Sequence, residues 1–145
     1  MKIGIANDHS GVEIKNQIQK FLELEGYQVM NYGTDTKESV DYPLYAFKIG
    51  QAINTNKIKF GILICHTGIG MSIAANKVKN IRCAKVDNEE EAFLTRSHNN
   101  SNVIALNDKK NIEELKPIIK TFLETPFSNE NRHQRRIDLI HHYEC

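Results

Sequence analysis

Little in this chain favours an extended partner. Its 19 Lys and Arg against 18 Asp and Glu leave a formal charge of +1, so no global field draws nucleic acid or an anionic membrane, and any anion must be met locally. Long apolar runs are missing too. None approaches the ~18 residues of a membrane span, and the opening MKIGIANDHS turns polar at Asn7, which leaves neither a transmembrane helix nor a signal peptide to expect. Cysteine is sparse: Cys65, Cys83 and Cys145 are odd in number, scattered and without zinc-binding spacing. Disulfides are not expected, and a cytoplasmic location is. Internal repeats, linkers and low-complexity segments are absent. The 145 residues then suit one domain, 1–145, able to bury roughly two-thirds of its unfolded surface without a structural metal or disulfide.

What is present is organised around residues 60–77, FGILICHTGIGMSIAANK. Phe60, Ile62, Leu63 and Ile64 predict a buried strand, His66 to Gly70 a tight loop, and Met71, Ile73, Ala74 and Ala75 the start of a packed helix. Cys65 thus falls at the carboxyl end of a strand, with backbone N–H groups converging beyond it, where open α/β sheets bind ligands.

The flanking segments repeat the strand–loop–helix pattern. Residues 2–6 predict a first strand ending at Asn7, Asp8 and His9. Ser10 with Glu13 matches a capping box, and Ile14, Ile18, Phe21 and Leu22 make a helical stripe that Gly26 ends. Asp8 and His9 are either polar cap residues or strand-tip functional groups. Residues 27–32 predict a second strand, and Pro43 opens a helix through Ile53 that Gly50 weakens by about 1 kcal/mol unless something packs there. Tyr42 lies on the surface or turns its hydroxyl to a neighbouring strand tip. Residues 81–86 predict a fourth strand, with Cys83 a small core residue. Asp87 or Asn88 caps a helix rich in glutamate in its first turn, ending near Arg96 and Ser97. His98 and Asn99 then lie in the loop before a strand at 102–106. Leu115, Ile118, Ile119 and Phe122 mark a further helix, in which Pro117 implies a kink or a late start. A last helix, about 129–144, carries Arg132 and Arg136 on one face, either solvated or clamping a phosphate. Five strands alternating with helices give a three-layer α/β/α sandwich with a parallel, Rossmann-like sheet.

Three chemistries compete for the loop CHTGIGMS. A dinucleotide site wants a third glycine where Ile73 stands. Cysteine-dependent phosphoryl transfer wants an arginine where Met71 stands. Proton abstraction beside a carbonyl uses the most residues: a thiolate at a helix amino terminus as base, and the N–H groups of His66, Thr67, Gly68 and Gly70 holding the enediolate. Such chemistry needs no metal or cofactor.

Asp8-His9, Asp41-Tyr42-Pro43, the block 61–77, Arg96-x-His98-Asn99-Asn100, Asn102-Val103 and Arg132-His133-Gln134-x-Arg136 together resemble the ribose-5-phosphate isomerase B and galactose-6-phosphate isomerase family. That resemblance spans essentially the whole chain. It implies reversible conversion of ribose 5-phosphate and ribulose 5-phosphate, or of a hexose phosphate such as allose or galactose 6-phosphate, in a homodimer or homotetramer whose sites are shared between chains. Cys65 resembles the base, His98 the acid that opens the furanose ring, and Asp8 a helper for protons on the sugar oxygens. His9, Arg132 and Arg136 resemble the phosphate set, Tyr42 and Asn99 substrate contacts, and His66, Thr67, Gly68, Ile69 and Gly70 the enediolate loop. Two positions depart from the family pattern. His66 replaces a glycine and is strained if its φ is positive. Lys109, in Asn107-Asp108-Lys109, replaces a phosphate-side arginine and loses its bidentate fork.

Overall fold

The computed structural model describes residues 1–144, so Cys145 lies outside the described residues. Strands β1 (Lys2–Asn7), β2 (Gln28–Asn31), β3 (Phe60–Ile64), β4 (Cys83–Lys85) and β5 (Val103–Leu106) form one parallel sheet in the order β2-β1-β3-β5-β4. The helices are α1 (Val12–Leu24), α2 (Tyr42–Asn54), α3 (Ile69–Ala75), α4 (Glu89–Asn99), α5 (Ile112–Glu124) and α6 (Asn131–Tyr143). Side chains alternate across a strand, and β3 shows what this does. Phe60, Ile62 and Ile64 join one buried cluster with Ile18 of α1, Ala92 of α4 and Phe122 of α5. Leu63 and Cys65 join the other, with Ile49 of α2 and Met71 of α3. Apolar faces on both sides of the sheet produce the expected sandwich, each buried Ile or Leu contributing about 1.5–3 kcal/mol. Among the described residues no helix is long and apolar enough to cross a membrane.

Several local expectations are revised. Ser10 and Glu13 form no capping box, because the Asp8 carboxylate is the stronger acceptor: it takes the Ser10 N–H at 3.0 Å and hydroxyl at 2.7 Å, and Glu13 accepts from Lys37 instead. A capping box does form at α5, between Asn111 and Glu114. Pro117 sits inside α5, so the late start is excluded; the buried stripe of Leu115, Ile118, Ile119 and Phe122 outweighs the lost ladder bond. Gly50 is needed for space, since a Cβ there would lie 2.7 Å from Val78 Cγ1.

Loop 32–41 is tied to the end of β1 by a buried lysine. Lys15, with no exposed side-chain surface, donates to the Thr34 carbonyl at 3.2 Å and pairs with Asp35. Asn7 donates to the same Thr34 carbonyl at 3.0 Å and to the Asp8 carbonyl at 2.8 Å. The Lys15 hydrogen bond, then Asn31 and the Lys15 charge, hold the Asp35 carboxyl below its ordinary range. A carboxylate lowered in the folded state stabilises above its unfolded pKa, about 3.9, and loses that contribution as pH falls through the lower folded value. Asp35→Asn should therefore cost about 1 kcal/mol at pH 7, kept small because the carboxylate is solvent-screened. In urea unfolding, the gap between variant and wild type should begin to narrow as pH falls below about 3.9 and close once pH has passed the lowered folded value.

Candidate active site

Chain order reverses between β1 and β3, because β2 lies on one side of β1 and β3 on the other. Ligands in open α/β sheets bind outside the carboxyl ends of strands at such a point. Asp8 and Cys65 stand there together: the Asp8 N–H donates to the Ile64 carbonyl at 3.1 Å, and the Cys65 N–H to the Leu106 carbonyl at 3.3 Å. Continuing the alternation of β3, Cys65 is only 5% exposed. Its Sγ accepts the Gly68 N–H at 3.1 Å. Only glycine suits position 68, where φ is +79° and a Cβ would lie 3.1 Å from the Leu106 carbonyl carbon. Thr67 Oγ1 takes the Ile69 N–H at 3.1 Å, tightening the turn. At Gly70 a Cβ would fall 2.5 Å from the Tyr42 ring, so Tyr42 rests directly on the loop.

His9 joins this edge from the turn before α1. Its Nδ1 accepts the Val40 N–H at 3.2 Å, which puts the proton of the neutral ring on Nε2, a donor for an anion. His66 has no positive φ, so the backbone strain considered above does not arise. Its exposed ring instead turns aside, with Nδ1 3.3 Å from Asp108 Oδ1. Lys109 is exposed on the neighbouring loop after β5, its N–H held by Asn107 Oδ1 at 2.9 Å.

The remaining expected residues are elsewhere. His98 and Asn99 are not in a loop: α4 continues through both, because Asn88 caps its start and Asn100, at φ +47°, provides a left-handed C-cap. Their position lies just before β5, and the four residues of that strand span about 13 Å, so they occupy the opposite edge of the sheet from Cys65. Here a second constellation forms. His133 of α6 stacks on His98 with ring centroids 4.2 Å apart and planes inclined by 16°. Asn99, Arg136, Ile137 and Ile140 complete a cavity of about 170 Å³ around the two rings. Arg132 is half exposed, 3.3 Å from the Glu130 carboxylate, which offsets the cost of a cation near a helix amino terminus.

Two residues quoted only as parts of motifs prove structurally specific. Arg96 is buried, and its guanidinium donates to the Thr125 carbonyl at 3.1 Å, Asn100 Oδ1 at 2.8 Å and the Ser101 carbonyl at 2.7 Å while lying 4.9 Å from the centre of the Phe60 ring. It ties the end of α4 to the segment leading towards α6. His133 is the other. The spacing of buried residues on α6, His133 to Ile137, was the available signal.

Beside this second edge runs a groove of about 760 Å³, lined by Ile81, Cys83, Ala84, Ile140 and Tyr143 among others. Burial pushes the Cys83 thiol up to about 12, which makes it the inert packing residue expected. Asn99 lines both the groove and the smaller cavity. Beside the first edge, Leu44, Ile69 and Ile73 are exposed.

The model of the family described as Ribose/Galactose Isomerase matches residues 3–140. The chain belongs to that family. Within the ribose/galactose isomerases, ribose-5-phosphate isomerase B of Escherichia coli K12 is 37% identical over 140 residues, covering 96% of this chain and 93% of its own. The structure of Clostridium thermocellum ribose-5-phosphate isomerase B superposes with a TM-score of 0.96 at 41% identity, over 99% of this chain and 97% of that one. Ribose-5-phosphate isomerase B of Mycoplasma genitalium, solved with bound ribulose 5-phosphate, gives 0.92 at 39% identity over 99% and 95%.

Proposed function

We propose that this chain is an aldose–ketose isomerase interconverting ribose 5-phosphate and ribulose 5-phosphate. The observation that carries the reading is full-length likeness, at TM-score 0.92, to an isomerase solved with ribulose 5-phosphate, joined to a buried cysteine whose sulfur already accepts a loop N–H. In the open-chain aldose, the Cys65 thiolate takes the C2 proton and the electron pair moves to O1, giving an enediolate. Return of the proton to C1, with loss of the O2 proton, yields the ketose. In the loop from His66 to Gly70, where the Gly68 N–H already faces the sulfur and the Ile69 N–H is taken by Thr67, the N–H groups of His66, Thr67 and Gly70 hold the charge as it develops. Asp8 moves protons between the sugar oxygens, Tyr42 and Asn99 contact the sugar, and His98 opens the furanose ring. His9, Lys109, Arg132 and Arg136 hold the phosphate.

Cys65, His9 and Lys109 stand at one edge of the sheet and His98, Arg132 and Arg136 at the other, a separation that supports a site closed by more than one chain. We propose that two copies close it, each offering its Cys65 edge to the partner's His98 edge. An apolar groove beside one half-site and exposed Ile69 and Ile73 beside the other supply the surface for such an isologous contact.

The test is kcat/KM across a substrate panel, because specificity is that ratio. Ribose 5-phosphate should exceed allose and galactose 6-phosphate by about 10-fold or more; a hexose phosphate in first place would move the enzyme to the other branch of its family, and saturable binding without turnover would remove the isomerase reading.

A further inference from the structure

The His98–His133 stack holds a feature that the proposed chemistry leaves unused. His133 is 7% exposed, yet its Nε2 has no hydrogen-bond partner among the described residues; the nearest acid oxygen, Glu130 Oε2, is 3.5 Å away. Facing the rings are Arg132 and Arg136 of α6 and the Glu130 carboxylate at its amino end, while Arg82, before β4, reaches the Asn99 carbonyl at 3.0 Å. Arg96 of α4 turns away onto Phe60 and Phe122. Among the described residues, Arg132 and Arg136 are the cations acting on His133 and Glu130 the acid opposing them, while Glu144 faces Arg82. Two imidazolium rings stacked 4.2 Å apart would repel each other in addition.

We propose that His133 is the positioning residue for His98: a buried ring whose flat face fixes the orientation of the His98 imidazole at the mouth of the cavity. Burial, followed by the charge of His98 and the nearby arginines, pushes His133 below the ordinary histidine range, with Glu130 opposing. His98 is the more exposed ring and opens onto the cavity, so the stack presents its imidazole where a sugar oxygen would meet it. This inference rests on the assignment of His98 as the ring-opening acid, but its physical content is tested without turnover.

Histidine ring resonances followed by NMR across pH should show His133 titrating below the ordinary range, and His98→Asn should move that midpoint upward, because a charged neighbour is gone. An unchanged His133 midpoint in that variant overturns the proposal. In kinetics, His133→Phe keeps the flat stacking surface and should hold kcat close to that of the wild type, while His133→Ala, which removes the surface on which His98 rests, should lower kcat about 10-fold or more. Equal kcat values for His133→Phe and His133→Ala also overturn it. Should either variant fail to fold, the wild-type spectrum decides: two coupled steps support the proposal and two independent titrations refute it. Absence of turnover in the wild type would instead remove the isomerase assignment and leave the NMR result standing.

Discussion

Cys65→Ala should lower kcat for ribose 5-phosphate about 10²–10⁴-fold, the usual contribution of a positioned base, with a much smaller change in KM. The sulfur is buried and accepts the Gly68 N–H at 3.1 Å. Removing it therefore deletes proton transfer and leaves the binding groups in place. Near-wild-type turnover would sink the assignment of Cys65. Measuring deuterium incorporation at C1 of ribulose 5-phosphate in heavy water isolates this step, because ring opening does not exchange a carbon-bound proton. The competing use of the same cysteine, as a phosphoryl-accepting nucleophile, makes the opposite forecast: phosphate release from an aryl phosphate, abolished by Cys65→Ser. The fold gives that route little support. Met71, in the position an anion-binding arginine would need, is fully buried against α2 and β3, and no lysine or arginine lies between Cys65 and Gly70.

The Cys65 half-site was legible because it is local. Residues 60–77 carry strand, turn and helix in one run, and the structure places Cys65, Gly68 and Gly70 as that run implies; Asp8 and Cys65 follow from two strand ends falling at one switch point. Sheet order was less accessible. Nothing in the apolar pattern tells β5 to insert between β3 and β4, since both are short runs flanked by similar helices. The end of α4 was misplaced for a different reason: Ser97, His98 and Asn99 have weak helix propensity, and the helix is extended through them by tertiary bonds from Arg96 and by the left-handed Asn100. Capping by Ser10 failed for a similar cause, since Asp8, two residues upstream, outcompeted Glu13. His66 shows the converse. A side chain replaces glycine there, yet the backbone is unstrained because Gly68, not residue 66, takes the left-handed turn.

Equal mixing of Cys65→Ala with His98→Asn, each nearly inactive alone, should restore activity to about one quarter of wild type once subunits exchange in a two-fold dimer. The figure follows from counting. Random pairing puts half the dimers in the mixed form, and each mixed dimer has one site with both residues mutated and one with both intact. Recovery of this kind requires that Cys65 and His98 of a working site come from different chains, the arrangement proposed above from their placement on opposite edges of the sheet. A monomeric enzyme that folded its α4 end onto its own Cys65 would give no recovery at any ratio. The same experiment places the phosphate groups: His9→Ala should complement Arg136→Ala, because the two lie on opposite edges, whereas Arg132→Ala and Arg136→Ala share α6 and should not complement each other. Dilution adds a further constraint. If Ile69 and Ile73 of one copy cover the groove lined by Ile140 and Tyr143 of the other, Ile73→Asp should weaken dimerisation and make kcat fall with enzyme concentration, while leaving the fold of each chain intact, since Ile73 is 59% exposed in the single chain.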